Sequence, residues 1–191
     1  IFSLEELIEH FSFDSVNTSA AIFDGDKLSW VNEQYIQSTP PEELAKYLEP
    51  QLIKSGVLSE SHGLSPQEIA KVIPCLNQRA KTLVEMAEKS AFFFKKEVEF
   101  DEKARNKFLT EDARPLLEKV IAGFSTLDDF SAENIETLFK KIVVEEGMKL
   151  GKLAQPVRVA LTGTTVSPGI YDVILLLGKE ETLARLNNAL L

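Results

Sequence analysis

The sequence predicts an all-α fold. Apolar residues recur at three- and four-residue spacing almost throughout, Ser, Thr or Asp precedes most of these runs, and glycine or proline interrupts them. The chain has 191 residues, 44% hydrophobic and 27% charged. That suffices for one large or two small cores, and the composition is that of a globular protein rather than a disordered one.

The elements follow in order. Ser3-Leu4-Glu5-Glu6 has the Ser-x-x-Glu form of a capping box and opens a short helix with Leu4, Leu7, Ile8 and Phe11 on one side. Asp24-Gly25 marks a turn, after which Leu28, Val31 and Tyr35 share a helical face. Thr39-Pro40-Pro41-Glu42 reads as a start with Thr39 as N-cap and Pro40 at the first helical position; Leu44, Tyr47, Leu48 and Leu52 point inward and Gly56 ends the helix. Ser65-Pro66-Gln67-Glu68 repeats the device and predicts a helix through Ile69, Val72 and Ile73, kinked or broken by Pro74. It resumes through Leu76, Leu83 and Met86, and Phe92, Phe93 and Phe94 are expected in the core.

Phe100-Asp101-Glu102 is a candidate boundary. Beyond it, Asp101 caps a helix with Ala104, Lys107 and Phe108. Thr110 caps one with Leu116, Leu117, Val120 and Ile121 that ends at Gly123, and Ser131 caps one with Ile135, Leu138, Phe139, Ile142 and Val143 that ends at Gly147. The tail, 180–191, forms a last helix with Leu183, Leu186 and Leu190.

One stretch departs from this pattern, Pro156 to Gly178, and such departures are where functional positions are expected. Val157 to Leu161 alternates β-branched residues and suits either a strand or a helix. A small-residue turn follows. Ser167-Pro168-Gly169 then opens an apolar helix that stops at Gly178, with Ser167 as its cap. Free amides around Gly169, Ile170 and Tyr171 suit a phosphate or a base carbonyl, and the Tyr171 ring offers a stacking face. Neither Arg158 nor Arg79 has a carboxylate three or four positions away. Each is free for bidentate recognition of a base or phosphate, for a tertiary ion pair, or for solvent. Lys149 and Lys152 add positive charge just before this stretch.

Other chemistry is poorly represented. His10 and His62 are far apart and belong to no ligand pattern, and the single cysteine, Cys75, excludes an intrachain disulfide and any multi-cysteine zinc site. Cys75 reads as a small buried apolar residue in a reducing compartment. The Gly163 to Gly169 loop lacks the Gly-Lys-Ser/Thr of a phosphate loop. A net charge of −9 argues against broad polyanion binding but is compatible with a small basic patch. No apolar run approaches the roughly 20 residues of a membrane span. A chain opening on Ile1 is expected to be a fragment.

Three blocks closely resemble the C-terminal, anticodon-binding part of bacterial glutamyl-tRNA synthetases. They are Phe23-Asp24 with Lys27-Leu28-Ser29-Trp30-Val31-Asn32 and Tyr35-Ile36; Arg79-Ala80-Lys81-Thr82-Leu83; and Gly151 to Gly163 with Ser167-Pro168-Gly169. The resemblance implies a helical cage of two small subdomains, 39–100 and 101–191, preceded at 1–38 by the end of a stem-contact domain. It favours helix for Val157 to Leu161. It implies that Arg79 reads the third anticodon base, a cytosine, and that Arg158, Ser167, Pro168, Ile170 and Tyr171 line the pocket for the first two. Gly169 completes that turn, and Lys149 and Lys152 are candidate phosphate contacts. The fragment is then expected to bind the anticodon arm of tRNA(Glu) without catalysing a reaction and without cofactor, metal, DNA or membrane. ATP and Mg2+ would belong to an upstream catalytic domain of a cytoplasmic full-length enzyme. The competing reading is a helical protein-interaction module that binds no RNA.

Overall fold

The computed structural model describes residues 1–16, 19–20 and 22–191. Among them there are helices and 3-10 turns but no strand. The helices are α1 (Leu4–His10), α2 (Gly25–Ser38), α3 (Pro41–Lys54), α4 (Pro66–Ala70), α5 (Leu83–Phe94), α6 (Glu102–Phe108), α7 (Arg114–Thr126), α8 (Ala132–Glu145), α9 (Leu150–Thr162) and α10 (Ile170–Asn188).

Several starts are those the sequence predicts. Ser3 and Ser65 form complete capping boxes with Glu6 and Glu68. Asp101 and Ser131 accept from the backbone N–H of Ala104 and Asn134, and Asp24, read from sequence as part of a turn, also caps its helix by accepting from Lys27 N–H. Each bond satisfies an amide that the helix itself leaves without an acceptor.

Two hydrophobic cores follow. The first is built on α3, α4 and α5, with Leu44, Leu48, Leu52, Ile69, Ile73, Leu76 and Met86 buried, and Ile36 of α2 added at its edge. The second joins α7, α8, α9 and α10 around Leu117, Phe124, Phe139, Leu153, Val157, Leu161, Val173 and Leu186. Phe93 packs against both. The three phenylalanines expected in the core are half-buried. α1 buries none of its residues, and Leu4, Leu7, Ile8 and Phe11 are exposed.

Four local expectations are corrected. The N-cap of α3 is Pro40, not Thr39, with Pro41 at the first helical position. The second start gives only the short α4, which ends at Ala70. A 3-10 turn at Ile73–Cys75 and further turns to Arg79 carry the chain to α5, capped by Thr82. Pro74 has no N–H to give the Ala70 carbonyl, so the α-helical ladder ends there, and the turns that follow still bury Val72, Ile73 and Leu76. Thr110 precedes a 3-10 turn, Glu111–Ala113, and makes no side-chain cap; α7 starts at Arg114 and runs through Gly123 to Thr126. Gly123 is a packing position rather than a stop: a Cβ there meets Leu138 Cδ1 at 2.5 Å.

The fourth correction concerns the distinctive stretch. α9 is helical through Thr162, as the resemblance implied. Nearly every residue from Leu153 to Thr162 is buried, on all sides, so no one-face periodicity was available to separate helix from strand. Pro156 sits inside it; the carbonyl it leaves unbonded is that of Lys152, which is exposed to water. Ser167 does not cap the next helix. The N-cap of α10 is Gly169, and the helix begins at Ile170. Gly178, at φ 78°, ψ 171°, breaks α10 where the sequence predicted a stop.

Candidate nucleic-acid interface

α9 delivers the chain to a tight turn because Gly163 adopts φ +76°. Its N–H donates to the Val159 carbonyl at 2.8 Å, and its own carbonyl accepts from Asp101 N–H at 2.9 Å. A side chain is impossible here without movement, since a Cβ meets the Glu99 carbonyl oxygen at 2.0 Å. The turn after α9 is thereby pinned to the segment that joins the two cores.

Arg158 projects from the last turns of α9 and is half-buried. Its Nε donates to Ser167 Oγ at 2.9 Å, and Ser167 Oγ donates in turn to the Pro168 carbonyl at 2.9 Å. Ser167 thus orients an arginine instead of capping a helix. Among the described residues, both Nη groups of Arg158 remain without a protein acceptor. Burial, and then the charge of Arg79, lower the proton affinity of this guanidinium. Ser167, which Arg158 bonds, lines the same cavity as Arg79, so the two arginines, 79 positions apart in the chain, approach one region.

Arg79 is exposed in the turns before α5. Its N–H donates to the Leu76 carbonyl at 2.8 Å, and its own carbonyl accepts from Lys89 Nζ. The backbone is held while the guanidinium has no protein hydrogen bond or ion pair among the described residues. It lines a cavity of about 470 Å³ between the cores, together with Phe92, Val98, Thr164, Ser167 and Pro168.

The remaining candidates divide. Pro168 is buried and forms part of the cavity wall. Ile170 is 6% exposed and packs into the second core. Tyr171 stands edge-on to Phe139, with ring centroids 5.4 Å apart at 90°. That contact puts Tyr171 on the α8 side and outside the cavity lining; burial, then Glu136, raise its hydroxyl pKa against the opposing pull of Lys140. At Gly169 the atom a Cβ meets is Asp172 Oδ2, at 2.5 Å: this carboxylate folds back over the first turn of α10. Lys149 and Lys152 are exposed at the other end of α9. They lie nine and six residues from Arg158, roughly 13 and 9 Å along the axis and on other helix faces, so the three do not form one compact patch.

Cys75 is half-buried beside this region. Its thiol donates to the Val72 carbonyl, and burial, reinforced by Asp172, pushes its pKa up to about 11. It is held as an inert thiol. No group of three or more potential metal ligands occurs among the described residues, and no described helix is long and apolar enough to cross a membrane.

Sequence reasoning missed Arg185. It is 4% exposed and ties the cores together. Nη1 donates to the carbonyls of Phe92 and Leu161 at 2.8 Å each, Nη2 to that of Lys95 at 2.9 Å, and Nε to Glu181 Oε1 at 2.6 Å. Glu181 and Arg185 resemble any surface i, i+4 pair. The available signal was that Arg185 shares the inner face of its helix with Thr182 and Leu186.

The family of proteins described as "Anticodon binding domain" matches residues 43–190. The chain belongs to the anticodon-binding domain family. It is 47% identical over 190 residues to a glutamate–tRNA ligase of Syntrophobacter fumaroxidans and 45% identical over 190 residues to that of Geotalea uraniireducens; the match covers 100% of this chain and 40% of each relative. The anticodon-binding domain thus spans about two fifths of the curated relatives it matches. Among solved structures, the crystal structure of a glutamate tRNA ligase from Elizabethkingia meningosepticum, in complex with its amino acid, superposes with a TM-score of 0.86 at 29% identity. Glutamate-tRNA synthetase from Elizabethkingia anophelis superposes with a TM-score of 0.82 at 30% identity. Both cover 100% of this chain, which accounts for 37% and 36% of theirs. The all-helical architecture is the one those ligases carry in this region.

Proposed function

We propose that this anticodon-binding domain serves a glutamate–tRNA ligase and reads the anticodon of tRNA(Glu). The observation that carries the reading is the convergence of two guanidiniums from distant parts of the chain. Among the described residues the Arg79 guanidinium has no hydrogen bond or ion pair, and Arg158 uses only Nε, on Ser167. Unpaired arginines presented on a held backbone suit the bidentate recognition of base edges and phosphates. Arg79 beside the cavity is assigned to the third anticodon base. Arg158, held by Ser167 against Pro168, serves the first two, with Gly169 in the turn and Ile170 supporting it from the core. Tyr171 offers its exposed edge to RNA arriving from the α8 side. Lys149 and Lys152 meet phosphates farther along the arm.

In this reading the chain has no catalytic residue, metal or cofactor of its own. ATP, Mg2+ and the ligation of glutamate belong to a catalytic domain elsewhere in a cytoplasmic enzyme. Residues 1–38 are the end of a stem-contact domain, and the subdomains 39–100 and 101–191 are the cage. Recognition at such a site resolves the acidic net charge of −9, because only a small region meets the polyanion.

The experiment is filter binding of the chain to anticodon stem-loops at several stated salt concentrations. Binding that weakens with salt and depends on the anticodon supports the reading. A stable protein partner combined with no salt-dependent RNA binding supports instead a protein-interaction module.

A further inference from the structure

We infer that Arg185 is a positioning residue for anticodon recognition, one that sets the first core against the second so that Arg79 and Arg158 address one RNA loop together; this rests on the anticodon-reading function proposed above. The three carbonyls it binds belong to the last turns of two helices, Phe92 and Lys95 at the end of α5 and Leu161 at the end of α9. Carbonyls at these positions have no acceptor role within their own helices and carry the negative end of the helix dipole. A single planar guanidinium satisfies all three, and Glu181 balances its charge. A lysine has the charge but not the fork.

The link from Arg185 to both RNA-facing arginines is short. α5 holds the Arg79 backbone through Lys89, and Phe92 lies one turn beyond Lys89 on the same helix. On α9, Leu161 lies one turn beyond Arg158. The cavity is walled by Phe92 and Lys95 on one side and Thr162 on the other, the positions at or next to those Arg185 grips. Arg185 is not itself among the cavity's lining residues and acts only through this geometry.

The test compares the wild-type chain with Arg185→Lys, at a temperature where circular dichroism shows both folded. Binding is measured to stem-loops with cytosine or guanine at the third anticodon position. A purely stabilising role lowers the competent fraction and weakens both RNAs by the same factor. A positioning role lowers the cytosine-to-guanine ratio, by at least about fivefold if the bidentate contact of Arg79 is lost. Combining Arg185→Lys with Arg79→Gln then reduces the ratio no further than Arg79→Gln alone. If Arg185→Lys fails to fold, Glu181→Ala takes its place; it keeps the three carbonyl bonds, frees Nε, and is expected to reduce the ratio in the same direction but less. An unchanged ratio in the folded variant overturns this inference alone. A wild-type chain that does not distinguish the two RNAs overturns the proposed function and this inference with it.

Discussion

Replacing Gly163 by alanine tests whether the turn after α9 is fixed by contact with the inter-core segment. Three costs add. The residue sits at φ +76°, where a Cβ costs about 1–2 kcal/mol. The new Cβ is 2.0 Å from the Glu99 carbonyl oxygen and 2.9 Å from its carbon, backbone atoms that yield only if residues 98–101 shift by about 1 Å or more. That shift strains the Asp101 N–H bond to the Gly163 carbonyl, worth about 1 kcal/mol. With about 1–2 kcal/mol for that displacement, as for overpacking in general, the total is about 3–5 kcal/mol. Gly147 is the internal control: its φ is +58° and nothing lies within 4 Å of its Cβ position, so Gly147→Ala carries only the backbone cost. Urea titrations followed by circular dichroism are expected to show Gly163→Ala less stable than Gly147→Ala by about 2 kcal/mol or more. Equal losses in the two variants refute the argument from close approach.

Other outcomes follow from the same geometry. Arg185→Met is expected to cost about 3–5 kcal/mol in urea, since it strips donors from three helix-end carbonyls and leaves Glu181 unpaired; a loss below about 1 kcal/mol means that the bonds are not holding the cores. Ser167→Ala removes the acceptor for Arg158 Nε and is expected to weaken stem-loop binding by about 1 kcal/mol with little change in the unfolding midpoint; unchanged affinity removes Ser167 from its orienting role. The Cys75 thiol is raised in the folded state from 9.0 to about 11. The folded chain therefore holds this proton more tightly, and the contribution to stability is fully present below pH 9 and is lost as pH rises towards 11. Alkylation by iodoacetamide is expected to be slow at pH 8 and to accelerate only above about 10; rapid reaction at pH 8 contradicts the burial of this thiol.

The fold was legible where the first turn of a helix is capped by a short polar side chain, whether or not a face of that helix is buried. Ser3, Ser65, Asp101 and Ser131 all announce their helices, and the break at Gly178 was legible from its glycine. Legibility failed where tertiary contact overrides local pattern. α9 is buried on all sides, so its periodicity was mute and only the resemblance favoured helix. Gly123 looked like a stop but is a contact with Leu138. Ser167 had the form of a cap, yet its hydroxyl is taken by an arginine nine residues earlier in sequence. The candidate arginines were found because they lacked local carboxylates. Arg185 was overlooked for the opposite reason: Glu181 stands four residues before it, and the carbonyls it binds carry no sequence signature.

The proposed reader of the third anticodon base is Arg79, at the edge of the inter-core cavity. The most direct measurement is the affinity of wild-type chain and of Arg79→Gln for anticodon stem-loops that differ only in cytosine or guanine at the third position, at one stated salt concentration. The wild type is predicted to prefer cytosine, and Arg79→Gln to lose about 1–3 kcal/mol of that preference. Discrimination that is identical in the two proteins contradicts the assignment.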